Sequence, residues 1–327
     1  MPAGLAHGGM QTQIDQTKAA LESLGVEVEY LRWWDEHQTG DIIHHFGRMS
    51  PDLIVRAQQK GMRVVLSVLL AAQGARPAWR RWLQRQAIRL LRTALPSACT
   101  TAFRWDAYRL ADATIALTPW EKEILGFLFA VPAGKIHVVP NGAEREFFEA
   151  APAVRGPWLV CTGTITERKR MVEAAEAAVL ARTPLWIVGK PYADSDPYAL
   201  RFFQLARQHP DFIRYEGPIQ ERSAMARVYR QARGFVLLSE NESLSLSALE
   251  AAACQCPLLL SDQRWAHSSF GTQATYAPVS SPRATAQALR LFYDAAPGLS
   301  PPSRPDSWSD VAMQLKSIYQ SLLDSRS

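Results

Sequence analysis

The sequence predicts two doubly wound α/β domains in tandem. Three observations carry this. Short β-rich runs alternate with segments of helical period along almost the whole chain. A polar, proline-containing stretch interrupts the alternation near the middle. The chain, at 327 residues, is too long for one ordinary domain and comfortable for two. Its 47% hydrophobic and 20% charged residues are those of a core-forming protein rather than a disordered one.

In the first half VEVEYL (27–32), DIIHHF (41–46), RVVLSVLL (63–70) and ATIALT (113–118) have the composition of buried strands. Between them TQIDQTKAALESLG and SPDLIVRAQQKG carry apolar residues at helical spacing, and each ends at glycine, the usual C-cap. Strand–helix–strand repetition implies a parallel sheet, because parallel neighbours need a crossover, with helices on both faces. After VVPNG (138–142) the segment EREFFEAAPAVRGP has the composition of a linker. A first domain is therefore expected at 1–150 and a second at 151–327, with the last helix able to pack back on the first. The alternation restarts with WLVCTG (158–163), a helix from about 170, LWIVG (185–189) and a helix near 200. FIRYEG (212–217), a helix near 223, GFVLLS (234–239) and PLLLSD (257–262) follow. Ligands of such sheets bind beyond the carboxyl ends of the strands, and two facing domains enclose a cleft.

The formal charge of +5 points to an acidic partner: phosphate, nucleic acid or anionic lipid. The four cysteines, Cys99, Cys161, Cys254 and Cys256, form no CxxC pair and no zinc spacing, which fits buried thiols in a reducing compartment. The stretch MPAGLAHGGMQTQIDQ has no apolar signal-peptide core, and no apolar run is long enough to span a bilayer. A cytoplasmic protein is expected. Between Asp52 and Asp106 there is no acidic residue, while ARPAWRRWLQRQAIRLLRTALPS accumulates arginines. On a helix over 76–95, Arg81, Arg85, Arg89 and Arg92 gather on one side, with Trp79, Leu83, Leu90 and Ala94 opposite. That pattern fits peripheral contact with the inner face of a membrane, and equally an ordinary helix with solvated arginines.

Chemistry concentrates in NESLSLSALEAAACQCPLLLSD (241–262), where Glu242 and Glu250 stand eight positions apart. GFVLLS is a strand, Glu242 sits in the loop at its carboxyl end, and a helix starts between Ser243 and Ser247. Glu250 then lies in the first two turns. The amides of Leu244, Ser245 and Leu246 stand near the helix N-terminus, where an anion is welcome. This suits a nucleotide diphosphate sugar, with one glutamate for sugar hydroxyls and the other for a ribose. SALE (247–250) also matches a Ser-x-x-Glu capping box, in which Glu250 would only serve the backbone of Ser247, and Glu242 could be an exposed loop acid. Spacing alone leaves both readings open, and it cannot place the two acids at the 5–9.5 Å separation of a hydrolase pair.

The segment ESLSLSALEAAACQCPLL resembles the E-x7-E segment, E-x-F-G-L-x-x-L-E-A-M-A-x-G-x-P-V, of retaining family 4 glycosyltransferases of the GT-B fold. Three more segments agree in order. LADATIALTPWEKEIL (110–125) resembles A-D-x-V-I-x-x-S. KIHVVPNGAEREFF (135–148) resembles K-I-x-V-I-P-N-G-V-D-x-x-x-F, which ends the family's first domain. CTGTITERKRMVEAAEA (161–177) resembles the G-R-L-x-x-x-K-G phosphate loop that opens the second. The resemblance implies two Rossmann-like domains and transfer of a sugar from a nucleotide-diphosphate sugar, with retained configuration, to a glycan, lipid or small molecule. It implies that Glu242 contacts the sugar and Glu250 the ribose. Gly163 and Lys169, with Arg168 beside them, would meet the diphosphate, and no metal would be required. Gly8 and Gly9 resemble the glycine loop that closes over phosphate and acceptor.

The departures are specific. Phe-Gly is replaced by Leu244-Ser245, the loop arginine by Thr164, and the glycine after the lysine by Arg170, a cation that would replace the missing one. The place of a histidine carried by many relatives is taken by about Leu69, and neither His44 nor His45 is expected to transfer a proton. Only MPAGLAH precedes Gly8, where the resembling fold has a central strand, so a truncated start lacking the first strand is expected. Rival readings are a nucleotide-sugar-binding protein or inactive transferase, a GT-B nucleotide-sugar 2-epimerase, and a nucleic-acid binder. The last has no helix-turn-helix or aromatic RNA platform to support it.

Overall fold

The computed structural model describes residues 9–32, 34–95, 104–149, 151 and 153–325. The chain forms two compact units, one of residues 1–142 with 308–327 and the other of 143–307.

In the first unit four parallel strands lie side by side in chain order: β1 (Ile42–Phe46), β2 (Arg63–Ser67), β3 (Ala113–Ala116) and β4 (Ile136–Val138). The crossover helix Pro51–Gln59 has proline in its first turn, where no amide partner is lost, and buries Pro51, Ile54 and Ala57. Val64, Leu66, Ile124, Leu125 and Phe129 anchor the core. Buried Glu121 accepts from Leu70 N at 2.8 Å and Leu117 N at 2.9 Å, sealing the chain just beyond β2 and β3.

VEVEYL is not a strand. Half-buried Val26 and Val28 alternate with exposed Glu27 and Glu29, but among the described residues nothing pairs with the segment, and alternation without a partner makes no ladder. The helix Gly9–Ser23 buries Gln13, Thr17, Ala20 and Leu21 and packs against the C-terminal helix Trp308–Asp324. Lys316 Nζ donates to Leu24 O at 2.9 Å beside that contact.

The second unit holds a six-stranded parallel sheet in the order β10-β9-β8-β5-β6-β7. The strands are β5 (Leu159–Thr162), β6 (Leu185–Val188), β7 (Ile213–Glu216), β8 (Gly234–Leu237), β9 (Leu258–Ser261) and β10 (Thr275–Ala277). The chain winds outward from β5 through β6 and β7, then returns to β8 on the other flank, so the order reverses between β5 and β8. Open parallel sheets bind ligands at such a reversal. One layer is the alanine-rich helix Met171–Ala181, whose Ala174, Ala175 and Ala178 admit Leu289 and Phe292 of the helix Pro282–Ala295 at close range.

The division falls at Gly142–Ala143, not at residue 150, and the expected linker is folded. Ala143 N donates to Asp306 O at 2.9 Å, and Arg145–Glu149 is a helix whose Phe147 is fully buried beside Tyr229.

Candidate functional site

The loops after β5 and β8 flank the reversal point of the second sheet. Gly163 ends β5 with φ +144° and Gly189 ends β6 with φ +148°. A Cβ on Gly189 would stand 2.0 Å from Gly163 O, so the glycine at 189 is what allows these strand ends to approach. Beyond Gly163, Thr166 Oγ1 accepts from Lys169 N at 3.4 Å and caps the turn Glu167–Lys169. Arg170 then adopts φ +53°, the left-handed region that favours glycine, which accounts for glycine at this place in the resembling motif. Its guanidinium is engaged by other partners: Nη2 donates to Val279 O at 3.1 Å, and Nη1 lies 3.6 Å from Glu240.

Glu242 is not an exposed loop acid. Its carboxylate lies 2.6 Å from Lys169 Nζ and 2.8 Å from Arg168 Nη1, joining the two loops across the reversal. Burial pushes the Glu242 pKa up, but Lys169 and Arg168 outweigh it and hold the group below its ordinary value. Glu240 N donates to Arg168 O at 3.0 Å, and Arg168 Nη1 donates to Asn241 O at 2.9 Å. Each loop therefore holds the other by backbone as well as by charge.

Glu250 stands in the helix Leu246–Ala253. The N-cap is Ser245, whose Oγ accepts from Ala248 N at 3.4 Å, so Ser247 is not the cap and Glu250 is not its capping-box partner. Leu244 and Ser245 are buried ahead of the helix, and Leu246 opens it. The Glu250 carboxylate accepts from Arg222 Nη2 and, at 3.0 Å, from Tyr229 OH. Arg222 also reaches Glu144, with Nε 2.9 Å from Oε2, and lies over the ring of Phe147. Burial raises the Glu250 pKa, Arg222 works against it, and Glu144 adds to the rise. Tyr229 OH and Thr162 Oγ1 lie 2.8 Å apart, and Thr162 immediately precedes Gly163. The Glu250 network and the glycine loop thus share one strand end.

Glu144, Arg222 and Tyr229 escape a reading by local spacing. Arg222 and Tyr229 sit seven apart on one helix face, the single trace they leave in the sequence. Gly9 opens the helix Gly9–Ser23 in the other unit, and Gly8 lies outside the described residues, as does Cys99. His44 is a packing histidine: its ring nitrogens meet Ser67 Oγ at 2.7 Å and Tyr319 OH at 2.5 Å. Burial, with His45 nearby, pushes its pKa down to about 3. Among the described residues no group of three or more His, Cys, Asp or Glu is placed to hold a metal ion.

The site as assembled offers a cation-lined glycine turn for an anion and two anchored carboxylates for hydroxyl groups. Residues 156–294 match the family described as Glycosyl transferases group 1. A D-inositol 3-phosphate glycosyltransferase of Actinosynnema mirum is 32% identical over 172 residues, covering 46% of this chain and 40% of the relative. The chain thus spans less than half the length of that relative. Sucrose-phosphate synthase from Thermosynechococcus elongatus superposes with a TM-score of 0.61 at 17% identity, over 87% of this chain and 74% of that one. The pneumococcal O-GlcNAc transferase GtfA, solved with UDP and GlcNAc, superposes with a TM-score of 0.59 at 16% identity, over 83% and 54%. Residues 156–294 are therefore similar to the Glycosyl transferases group 1 family, and the fold of the chain is that of the GT-B glycosyltransferases.

Proposed function

We propose that the protein is a retaining glycosyltransferase that moves a sugar from a nucleotide-diphosphate sugar to a hydroxyl acceptor. The observation that carries this is Glu242, buried and held by Lys169 and Arg168 at the reversal of the second sheet, one loop away from Gly163. In this reading the diphosphate lies over Gly163, where the backbone can be approached closely, and Lys169 and Arg168 turn from Glu242 toward it. The N-terminus of the helix Leu246–Ala253 adds its amides and dipole. Glu242, released by its cations, accepts from sugar hydroxyls. Glu250 accepts from the ribose, at a height fixed by Arg222 and Tyr229.

As the nucleotide leaves, negative charge grows on the phosphate oxygen, and Lys169 and Arg168 offset it in place, so no metal is needed for that step. No carboxylate stands as an evident covalent nucleophile, and a same-face displacement follows from the family resemblance. The GtfA complex with UDP and GlcNAc, and the likeness to a D-inositol 3-phosphate glycosyltransferase of Actinosynnema mirum, support a nucleotide-sugar donor and a hydroxyl acceptor. The test is thermal unfolding against UDP-, GDP- and ADP-sugars, since a ligand bound only to the folded state raises the midpoint. NMR of the product with the selected donor and a panel of polyol phosphates then reads the anomeric configuration. No midpoint shift with any nucleotide sugar, or an inverted product, defeats the reading.

A further inference from the structure

The helix Ala78–Ala94 is packed the opposite way round from an ordinary domain helix. Three of its arginines, Arg81, Arg85 and Arg92, face inward beside the buried Ile88. Arg81 is buried, donates to Gly74 O at 3.1 Å, and lies over Trp120. Arg85 lies over the ring of Phe127, and Arg92 pairs with Asp106 at 2.9 Å while donating to Phe129 O. The apolar face is left outside. Trp79, Trp82, Leu83 and Leu90 are 59%, 52%, 51% and 67% exposed, and Phe127 on the neighbouring helix is 39% exposed. Among the described residues none covers this face.

We infer that Trp79, Trp82, Leu83 and Leu90, with Arg80 and Arg89 beside them, dock this unit on the headgroup region of an anionic lipid bilayer. Three observations select that occupant. The apolar side chains run along one helix for about 17 Å at 1.5 Å per residue and form a straight ridge, which suits a surface rather than a pocket. Two are tryptophans, whose amphipathic rings favour the boundary between headgroup and acyl chain. The charge is one-sided: Arg80 and Arg89 are exposed, and no Asp or Glu occurs from 53 to 105. A protein partner would find four apolar side chains with no acid to offset the arginines. An anionic membrane complements both.

The experiment is co-sedimentation of the full chain with vesicles of phosphatidylcholine alone and of equal parts phosphatidylcholine and phosphatidylglycerol. Binding is expected on the anionic vesicles, weakened by high salt and weak on the neutral ones. The charge variant R80E/R89E should lower partitioning about twentyfold or more, since one basic residue near an anionic surface contributes about fivefold. The apolar variant W79S/L83S/L90S should lower it about tenfold or more, since buried apolar area is the other contribution. Thermal midpoints and light scattering accompany both variants. If the apolar variant does not fold, the charge variant carries the test alone. Failure to bind anionic vesicles, or binding that both folded variants retain, overturns the inference. So does a dimeric chain that the apolar variant renders monomeric while neither form sediments, because the face is then an interface between copies.

Discussion

Replacing Lys169 by methionine keeps the length of the side chain and removes its charge, isolating what the ammonium does for Glu242. Both side chains are about nine-tenths enclosed, at 12% and 11% exposure, so water screens the pair little. Arg168 remains beside the carboxylate but is 47% exposed, and its pairing is correspondingly weaker. Loss of one charge-assisted contact costs about 1.5–3 kcal/mol. For a domain of this size each kcal/mol lowers Tm by about 2–4 °C, giving a fall of about 3–12 °C at neutral pH. The loss should depend on pH. In the native protein Glu242 is held below its ordinary value of 4.5, so its ion pairs stabilise the fold above that pH and are lost in acid. In the variant, burial is opposed by Arg168 alone and drives the pKa upward, so charging Glu242 becomes the unfavourable step as pH rises. The gap between the two proteins is therefore widest at neutral pH and narrows toward pH 4. Turnover should fall more than KM rises, because Lys169 meets charge that develops on the leaving group. The assay is thermal unfolding across a pH series, with kcat and KM for the donor found above. Equal unfolding at neutral pH, or a gap that widens in acid, would refute the placement of Lys169 on Glu242.

The remaining predictions concern the same strand ends. Glu250→Gln should weaken free nucleotide and nucleotide sugar alike, by about 1.5–3 kcal/mol in titration calorimetry, the size of a charge-assisted hydrogen bond. Glu242→Gln should depress kcat while leaving free-nucleotide affinity nearly intact, and equal losses in the two variants would end the division of roles. Gly189→Ala forces a Cβ into contact with Gly163 O and strains a positive φ, so the midpoint should drop by several degrees, about 2–4 °C per kcal/mol. A midpoint matching that of the wild type would contradict the close approach. Exhaustive chelation should leave the transfer rate unchanged, whereas loss restored by a divalent cation would show that the two cations do not suffice.

The strands β5, β6, β8 and β9 could be read from sequence because they are buried on both faces. LVCT, GFVL and LLLS are unbroken apolar runs for the same reason that they pair inside a parallel sheet. The three-residue β10 is too short to give such a signal. VEVEYL misled because pairing is a property of two segments, and alternation within one cannot report a missing neighbour. Glu242 and Glu250 were visible as an eight-residue spacing, and Lys169 and Arg168 as a basic loop, but the partners of Glu250 were not visible. Arg222 lies 28 residues before Glu250, and Glu144 lies in a stretch whose polarity disguised a folded helix with Phe147 buried under it. The capping-box pattern failed at one residue: Ser245 reached Ala248 first, which freed Glu250 for Arg222. In the helix Ala78–Ala94 composition showed two faces but not which was buried, because guanidinium groups stacked on Trp120, Phe127 and Trp105 can serve as an inner surface.

The pairing of Ala143 with Ser307 makes the second unit an insertion in the topological sense. The chain leaves the first unit at Gly142 and resumes it at Trp308, and the inserted piece has its two ends clipped together by a parallel bridge and the bond from Ala143 N to Asp306 O. A module with adjoining ends can be excised, or its host rejoined by a short splice, without threading the chain through either core. The splice point is not neutral toward the site. Glu144 follows the clip directly and shares Arg222 with Glu250, so the first residues of the insert are already part of the carboxylate network. A fragment cut at residue 151 would leave Glu144 and Phe147 behind, whereas one cut at Ala143 carries its own closure and the whole of that network.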